Sequence, residues 1–156
     1  MKTLRSLYLY TIIVALASVA PVSAAVDSEG WTGVGKRIYI NRKTQTRISG
    51  DIHSLWIKIV PKKTGNLYLA SRMRLLTMGH DPRGLEYIAF LAEMDCAAKL
   101  IRKLNTVYYQ ADKNIIASAY DEQAAWKNAS PNSMLQNVFR EVCAGYKTGQ
   151  SESTED

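Results

Sequence analysis

The sequence predicts an α+β domain, an antiparallel sheet packed by a C-terminal α-helix, and three observations predict it. Residues 53–60 and 85–96 alternate apolar and polar side chains at the strand period of two. The runs Val107-Tyr108-Tyr109 and Ile115-Ile116-Ala117 flank a polar turn in the manner of a hairpin. Leu135, Val138, Phe139 and Val142 then recur at helical spacing near the end of the chain.

The chain has 156 residues, 47% of them apolar and 22% charged, with only four prolines, a globular composition. Its first residues read as a secretory leader: Lys2 and Arg5 form a positive start, an apolar run spans 7–20, and Pro21-Val22-Ser23-Ala24 offers small residues for cleavage. A signal peptide over 1–24 is therefore expected, with an uncleaved membrane anchor as the alternative. Cleavage leaves one domain over 25–147 and a small, acidic, disordered tail over 148–156. These features argue against a cytosolic enzyme, a multidomain protein or a polytopic membrane protein. Two cysteines, Cys96 and Cys143, fit an oxidising compartment and one intrachain disulfide closing 47 residues, with two separately buried thiols as the alternative. With no cysteine beside the cleavage point, the expected location is the periplasm or the outer surface without a lipid anchor and without a stable transmembrane segment.

Taken in order, residues 25–35 are polar and glycine-rich and read as a flexible leader. Arg37-Ile38-Tyr39-Ile40 suits a short strand, since β-branched and aromatic side chains pack well on a pleated surface. A second strand is placed over 44–49. In 53–60, Leu55, Ile57 and Ile59 alternate with Ser54, Trp56 and Lys58, and residues 61–65 end that strand as a turn. Residues 66–78 are ambiguous: Leu69, Met73 and Leu76 have helical spacing, while Leu67, Leu69, Met73 and Leu75 also fit a strand. Asp81-Pro82-Arg83-Gly84 is a turn. From 85 to 96, Ile88, Phe90, Ala92, Met94 and Cys96 make one apolar face, and Glu93 and Asp95 lie on the other. Residues 97–108 are again ambiguous, although the hairpin turn over 110–114 favours strand at their end. Ser130 and Pro131 read as the cap and first residue of the last helix, and Gly145 as its end. Cys143, four residues after Phe139, borders the buried stripe, so a bond to Cys96 would clamp the helix to the central strand.

These residues resemble the bacterial surface-adhesin protein E-like family. The resemblance runs through Trp31, the strand from Arg37, Leu55-Trp56-Ile57-Lys58, Asp95-Cys96, Arg102, Val107-Tyr108-Tyr109, Ile115-Ile116-Ala117-Ser118, Trp126, Pro131-Asn132-Ser133 and Val142-Cys143. It covers roughly 30–143. It implies an antiparallel sheet with helix packed on it and a Cys96–Cys143 bridge, it favours strand for 97–109, and it implies no catalytic residues. Asp112-Lys113-Asn114 stands where the family's turn usually carries glycine, with Asn114 expected to take the left-handed conformation.

The chemistry-bearing residues point to binding more than to catalysis. Gly30 to Lys36 has the glycine and lysine spacing of a phosphate loop, but Arg37 stands where a hydroxyl must hold magnesium, and no apolar strand precedes it. His53 and His80 have no partner at metal-ligand spacing, so no metal and no cofactor is expected. Glu93 and Asp95 suit a solvated face, or partners for cations on the next strand, better than acid–base catalysis. The charge distribution is more informative. Between residues 36 and 74 lie ten basic residues and one acid, Asp51. Lys36, Arg37, Arg42, Lys43, Arg47, Lys58, Lys62 and Lys63 form the candidate basic binding face, with Tyr39, Trp56 and Tyr68 interleaved. Such a face attracts polyanions in a salt-dependent way. The partners it suggests are a host extracellular-matrix protein, a sulfated glycan or an anionic envelope component, with a second copy of the chain as a further candidate; nucleic acid suits the charge and not the compartment. The expected function is a non-enzymatic, adhesin-like binding module, the alternative an accessory protein of an envelope assembly.

Overall fold

Strands β4 (Ile52–Ile59) and β5 (Tyr87–Asp95) form the centre of the sheet in the computed structural model, which describes residues 30–129 and 133–144. Their alternation does what the sequence requires of it. Leu55, Ile57 and Ile59 stand opposite Ala92, Phe90 and Ile88 on one face, and all six are buried. Around them the order is β1 (Trp31–Gly35), β2 (Ile38–Asn41), β4, β5, β6 (Leu100–Tyr109) and β7 (Ile115–Tyr120), every neighbour antiparallel. Short β3 (Thr46–Ser49) pairs with the start of β4 beyond β2, and β8 (Lys127–Asn128) pairs with the start of β6.

The segment over 66–78 is helix: α1 runs Asn66–Thr77. The side it buries carries Tyr68, Ser71 and Leu75; Tyr68 and Leu75 pack with Leu85, just before β5, and with Ile88, Tyr108 and Ala117 on the first face of the sheet. Leu69, Met73 and Leu76, the stripe with helical spacing, are instead 50%, 61% and 54% exposed. Helix α2 (Met134–Cys143) packs on the same face further along, through Val138, Phe139 and Val142 against Ile38, Ile57, Phe90 and Met94. Both helices thus lie on one side of the sheet.

Several expectations need correction. Residues 31–35 are the edge strand β1, not a flexible leader, because backbone pairing to β2 asks nothing of the side chains. Glycine serves there: a Cβ on Gly35 would lie 3.3 Å from the Asn137 side chain, where α2 crosses the edge. Helix α2 begins at Met134 with Ser133 in the extended cap position, one residue before Leu135, the first of its apolar stripe. In the β6–β7 turn the left-handed residue is Lys113 rather than Asn114, and the Asp112 carboxylate holds the turn by accepting from the Asn114 backbone at 3.1 Å and its side-chain amide at 2.7 Å. The leader over 1–24, the tail over 148–156, Ser130, Pro131 and the Gly145 helix end lie outside the described residues.

Cys96, one residue past β5, and Cys143, the last residue of α2, are disulfide-bonded with their Cα atoms 5.6 Å apart. The bond closes the layer of α2 on the sheet. Among the described residues, no helix is long and apolar enough to cross a membrane.

Candidate functional site

The second face of the sheet carries a different set of side chains. The register sets Tyr39 opposite Lys58, Trp56 opposite Leu91, and Tyr87 opposite Tyr109. Because these positions alternate with the core-facing ones, they all project away from the two helices. Tyr87 and Tyr109 stack with ring centroids 4.6 Å apart and planes within 9°. The Lys58 ammonium lies 4.7 Å from the Trp31 ring, 4.9 Å from Tyr39 and 5.6 Å from Tyr87. Three aromatic faces thus converge on one cation, each attracting it through its ring quadrupole. Trp56, Ala89, Val107 and Tyr109 form the buried floor beneath them, with Trp31, Tyr87 and Leu91 packed on it. The sequence interleaves Tyr39 and Trp56 with the basic residues, whereas Trp31, Tyr87 and Tyr109 join them only through strand pairing.

The basic residues separate into groups. Lys36 and Arg37 form the β1–β2 turn, where Arg37 takes a left-handed backbone with φ of 69° and its carbonyl accepts from the Val60 backbone at 3.0 Å. That bond brings the turn beside Pro61 and Lys62, and Lys36, Arg37 and Lys62 line one shallow depression with Ile59 and Met134. Lys63 joins them and reaches Glu86 at 2.7 Å; this hydrogen bond, more than charge alone, holds its ammonium above the usual lysine value. Lys58 projects from the same end of β4. Arg42, Lys43 and Arg47 sit past the far end of β2. There Arg42 pairs with Glu141 of α2, and Arg47 pairs with Asp51 at 3.7 Å and donates to the Gly50 carbonyl. The structure therefore brings Lys36, Arg37, Lys58, Lys62 and Lys63 to one end of the sheet and leaves the other three apart from them.

The two carboxylates of β5 have structural partners. Glu93 is 8% exposed and meets Arg102 of β6 at 2.5 Å, and the Arg102 guanidinium lies 4.7 Å from the Trp126 ring. Asp95 accepts from the Ala98 backbone at 2.8 Å and so ties the β5–β6 turn. Among the described residues, no three His, Cys, Asp or Glu side chains gather in a way that would hold a metal.

Comparison with known proteins bears on the whole domain. The family model described as surface-adhesin protein E matches residues 31–144. No curated protein matches the chain at a significant level. Among solved structures, crystal form II of Haemophilus influenzae protein E is similar with a TM-score of 0.53 at 15% identity, over 76% of this chain and 91% of that one. A further structure of Haemophilus influenzae protein E gives 0.51 at 15% identity over 85% and 96%. Protein E from non-typeable Haemophilus influenzae gives 0.50 at 13% identity over 82% and 84%. At such identities the likeness is one of fold.

Proposed function

The chain belongs to the surface-adhesin protein E family, and from that premise we propose that it is an exported, non-enzymatic binding module that adheres to an anionic or protein partner. In this reading the leader over 1–24 is removed, the domain over 25–147 folds around its disulfide, and the mature protein works at the bacterial envelope or outer surface. The contact surface is the end of the sheet where Lys36, Arg37, Lys62 and Lys63 adjoin the cluster of Lys58 with Trp31, Tyr39 and Tyr87.

The observation that supports this reading is the cluster of Lys58 with three aromatic rings on one sheet face, at the end of the sheet where Lys36, Arg37 and Lys62 line a depression on the helix side. Aromatic side chains bring large contact areas with little conformational entropy to lose. The neighbouring cations add attraction for sulfated glycans, anionic head groups or acidic protein patches. Of these cations, Lys63 pairs with Glu86.

Retention on immobilised heparin, and binding to immobilised extracellular-matrix proteins, test it. The protein is expected to elute from heparin at a salt concentration that falls when Lys36, Arg37 and Lys62 are changed together to Glu. Tyr39→Ala is expected to weaken matrix-protein binding without moving the heparin elution to the same degree. Unchanged behaviour of the triple variant on both supports would sink the proposal. Cell fractionation with an antibody then separates periplasmic from surface residence.

A further inference from the structure

The two helices share one face of the sheet. Between them lies a cleft of about 440 Å³, within the range of small-molecule sites. Its floor is the sheet, through Ile59, Ile88, Phe90 and Tyr108; its walls are Leu67 and Ala70 of α1 and Met134 and Leu135 of α2. Leu67 and Met134 are 38% and 43% exposed, large apolar side chains facing solvent at its mouth.

The polar lining has one sign. Among the described residues, Arg74 and Lys103 are its only charged ones, and no Asp or Glu lines it. Neither has a salt-bridge partner among the described residues, whereas Arg42, Arg47, Lys63, Arg83 and Arg102 all do. Lys103 lies 5.7 Å from the Phe90 ring. Its ammonium is held below the usual lysine value first by desolvation and then by repulsion from Lys127. Arg74 is close enough to act on the Tyr108 phenol electrostatically. An anion placed between Arg74 and Lys103 would relieve both costs. An aliphatic chain attached to it would cover the apolar walls.

We propose that the cleft between α1 and α2 binds a free single-chain fatty carboxylate, its head group between Arg74 and Lys103 and its chain along Phe90, Leu67 and Leu135. This goes beyond adhesion: the cleft lies on the face of the sheet opposite the Lys58 cluster, shares none of its aromatic residues, and borders the Lys36, Arg37 and Lys62 depression at Ile59, Leu67 and Met134 without sharing its basic residues.

Titration of the disulfide-bonded protein with sodium dodecanoate, below its micelle concentration, tests the proposal by calorimetry and by amide shift changes at Phe90 and Thr106. One dodecanoate per chain is expected, with acetate and dodecanol at least about tenfold weaker, because each lacks one half of the interaction. Arg74→Gln with Lys103→Gln is expected to weaken dodecanoate by about tenfold or more and to leave dodecanol unchanged. Ala70→Trp, at an exposed position of α1 that tolerates a large side chain, is expected to block both, and its circular dichroism shows that the fold is kept. Equal binding of dodecanoate and dodecanol, or dodecanoate binding unmoved by either variant, overturns the proposal. Tighter binding of lysophosphatidylglycerol than of dodecanoate through the same residues overturns the free carboxylate in favour of a monoacyl phospholipid.

Discussion

Cys143, at the last turn of α2, is covalently joined to Cys96 at the end of β5, the strand whose inward face the helix covers. The bond spans 47 residues, so it ties the C-terminal helix to the sheet across the whole of β6, β7 and the following loop. Val138, Phe139 and Val142 already bury that helix. The disulfide acts chiefly on the unfolded chain, by restricting how far its ends can separate.

Reduction, or the Cys96→Ser and Cys143→Ser pair, is therefore expected to lower unfolding free energy by up to about 4 kcal/mol. Urea unfolding with and without reductant measures it. A loss below about 1 kcal/mol would show that packing alone fixes α2.

Arg102 neutralises a carboxylate that has little access to water. Glu93 side-chain exposure is 11% and Arg102 side-chain exposure 30%. Arg102→Ala leaves Glu93 without its ion pair and removes the guanidinium from the Trp126 ring, a loss expected at roughly 1–3 kcal/mol. In a double-mutant cycle with Glu93→Gln the coupling is expected to exceed about 1 kcal/mol. Additive single effects would contradict the pairing.

The outer and inner sides of α1 should respond differently. Leu75 is fully buried, and Leu75→Ala is expected to cost about 2–5 kcal/mol by leaving a cavity under the helix. Met73, at 61% exposure, should accept Lys within about 0.5 kcal/mol. Thermal unfolding of the two variants side by side decides whether the sequence stripe or the observed face carries the packing.

Lys103 gives a pH-dependent test. Its folded pKa is lowered from the ordinary 10.5 by desolvation and by Lys127, so the unfolded chain holds its proton more tightly than the folded one. The charged form thus opposes folding below the folded pKa, and this opposition fades as pH rises towards 10.5. Lys103→Met should be as stable as the parent or slightly more so at pH 7, with the difference shrinking between neutral pH and that value. Because Lys103 retains solvent contact, the effect is small, and a difference that grows with pH would refute its cause.

Much of the fold is legible in the residues because its signals are local. The alternation of Leu55, Ile57 and Ile59 and of Ile88, Phe90 and Ala92 fixes which side of β4 and β5 is buried. The stripe on α2 does the same for the helix. Residues 66–78 were not legible in this way. Their exposed leucines and methionine compete with the buried Tyr68, Ser71 and Leu75, so no single apolar face stands out from the chain. Strand β1 was hidden for the opposite reason, since its pairing rests on backbone groups that leave no side-chain pattern.

By itself, then, the sequence determined the α+β class, the central strands, the final helix and the family, because each depends on spacing within a short segment or on two cysteines and their order. The tertiary structure decided where the charges went. Arg42 is neutralised by Glu141, 99 residues away, and Lys63 by Glu86, 23 residues away. Lys58 meets Trp31, Tyr39 and Tyr87 from three other strands, and Arg74 and Lys103 line one cleft because α1 packs on the sheet beside β6. Charge and aromatic contacts act through space, and a contiguous run of basic residues carries no information about which of them a folded sheet will bring to the same side.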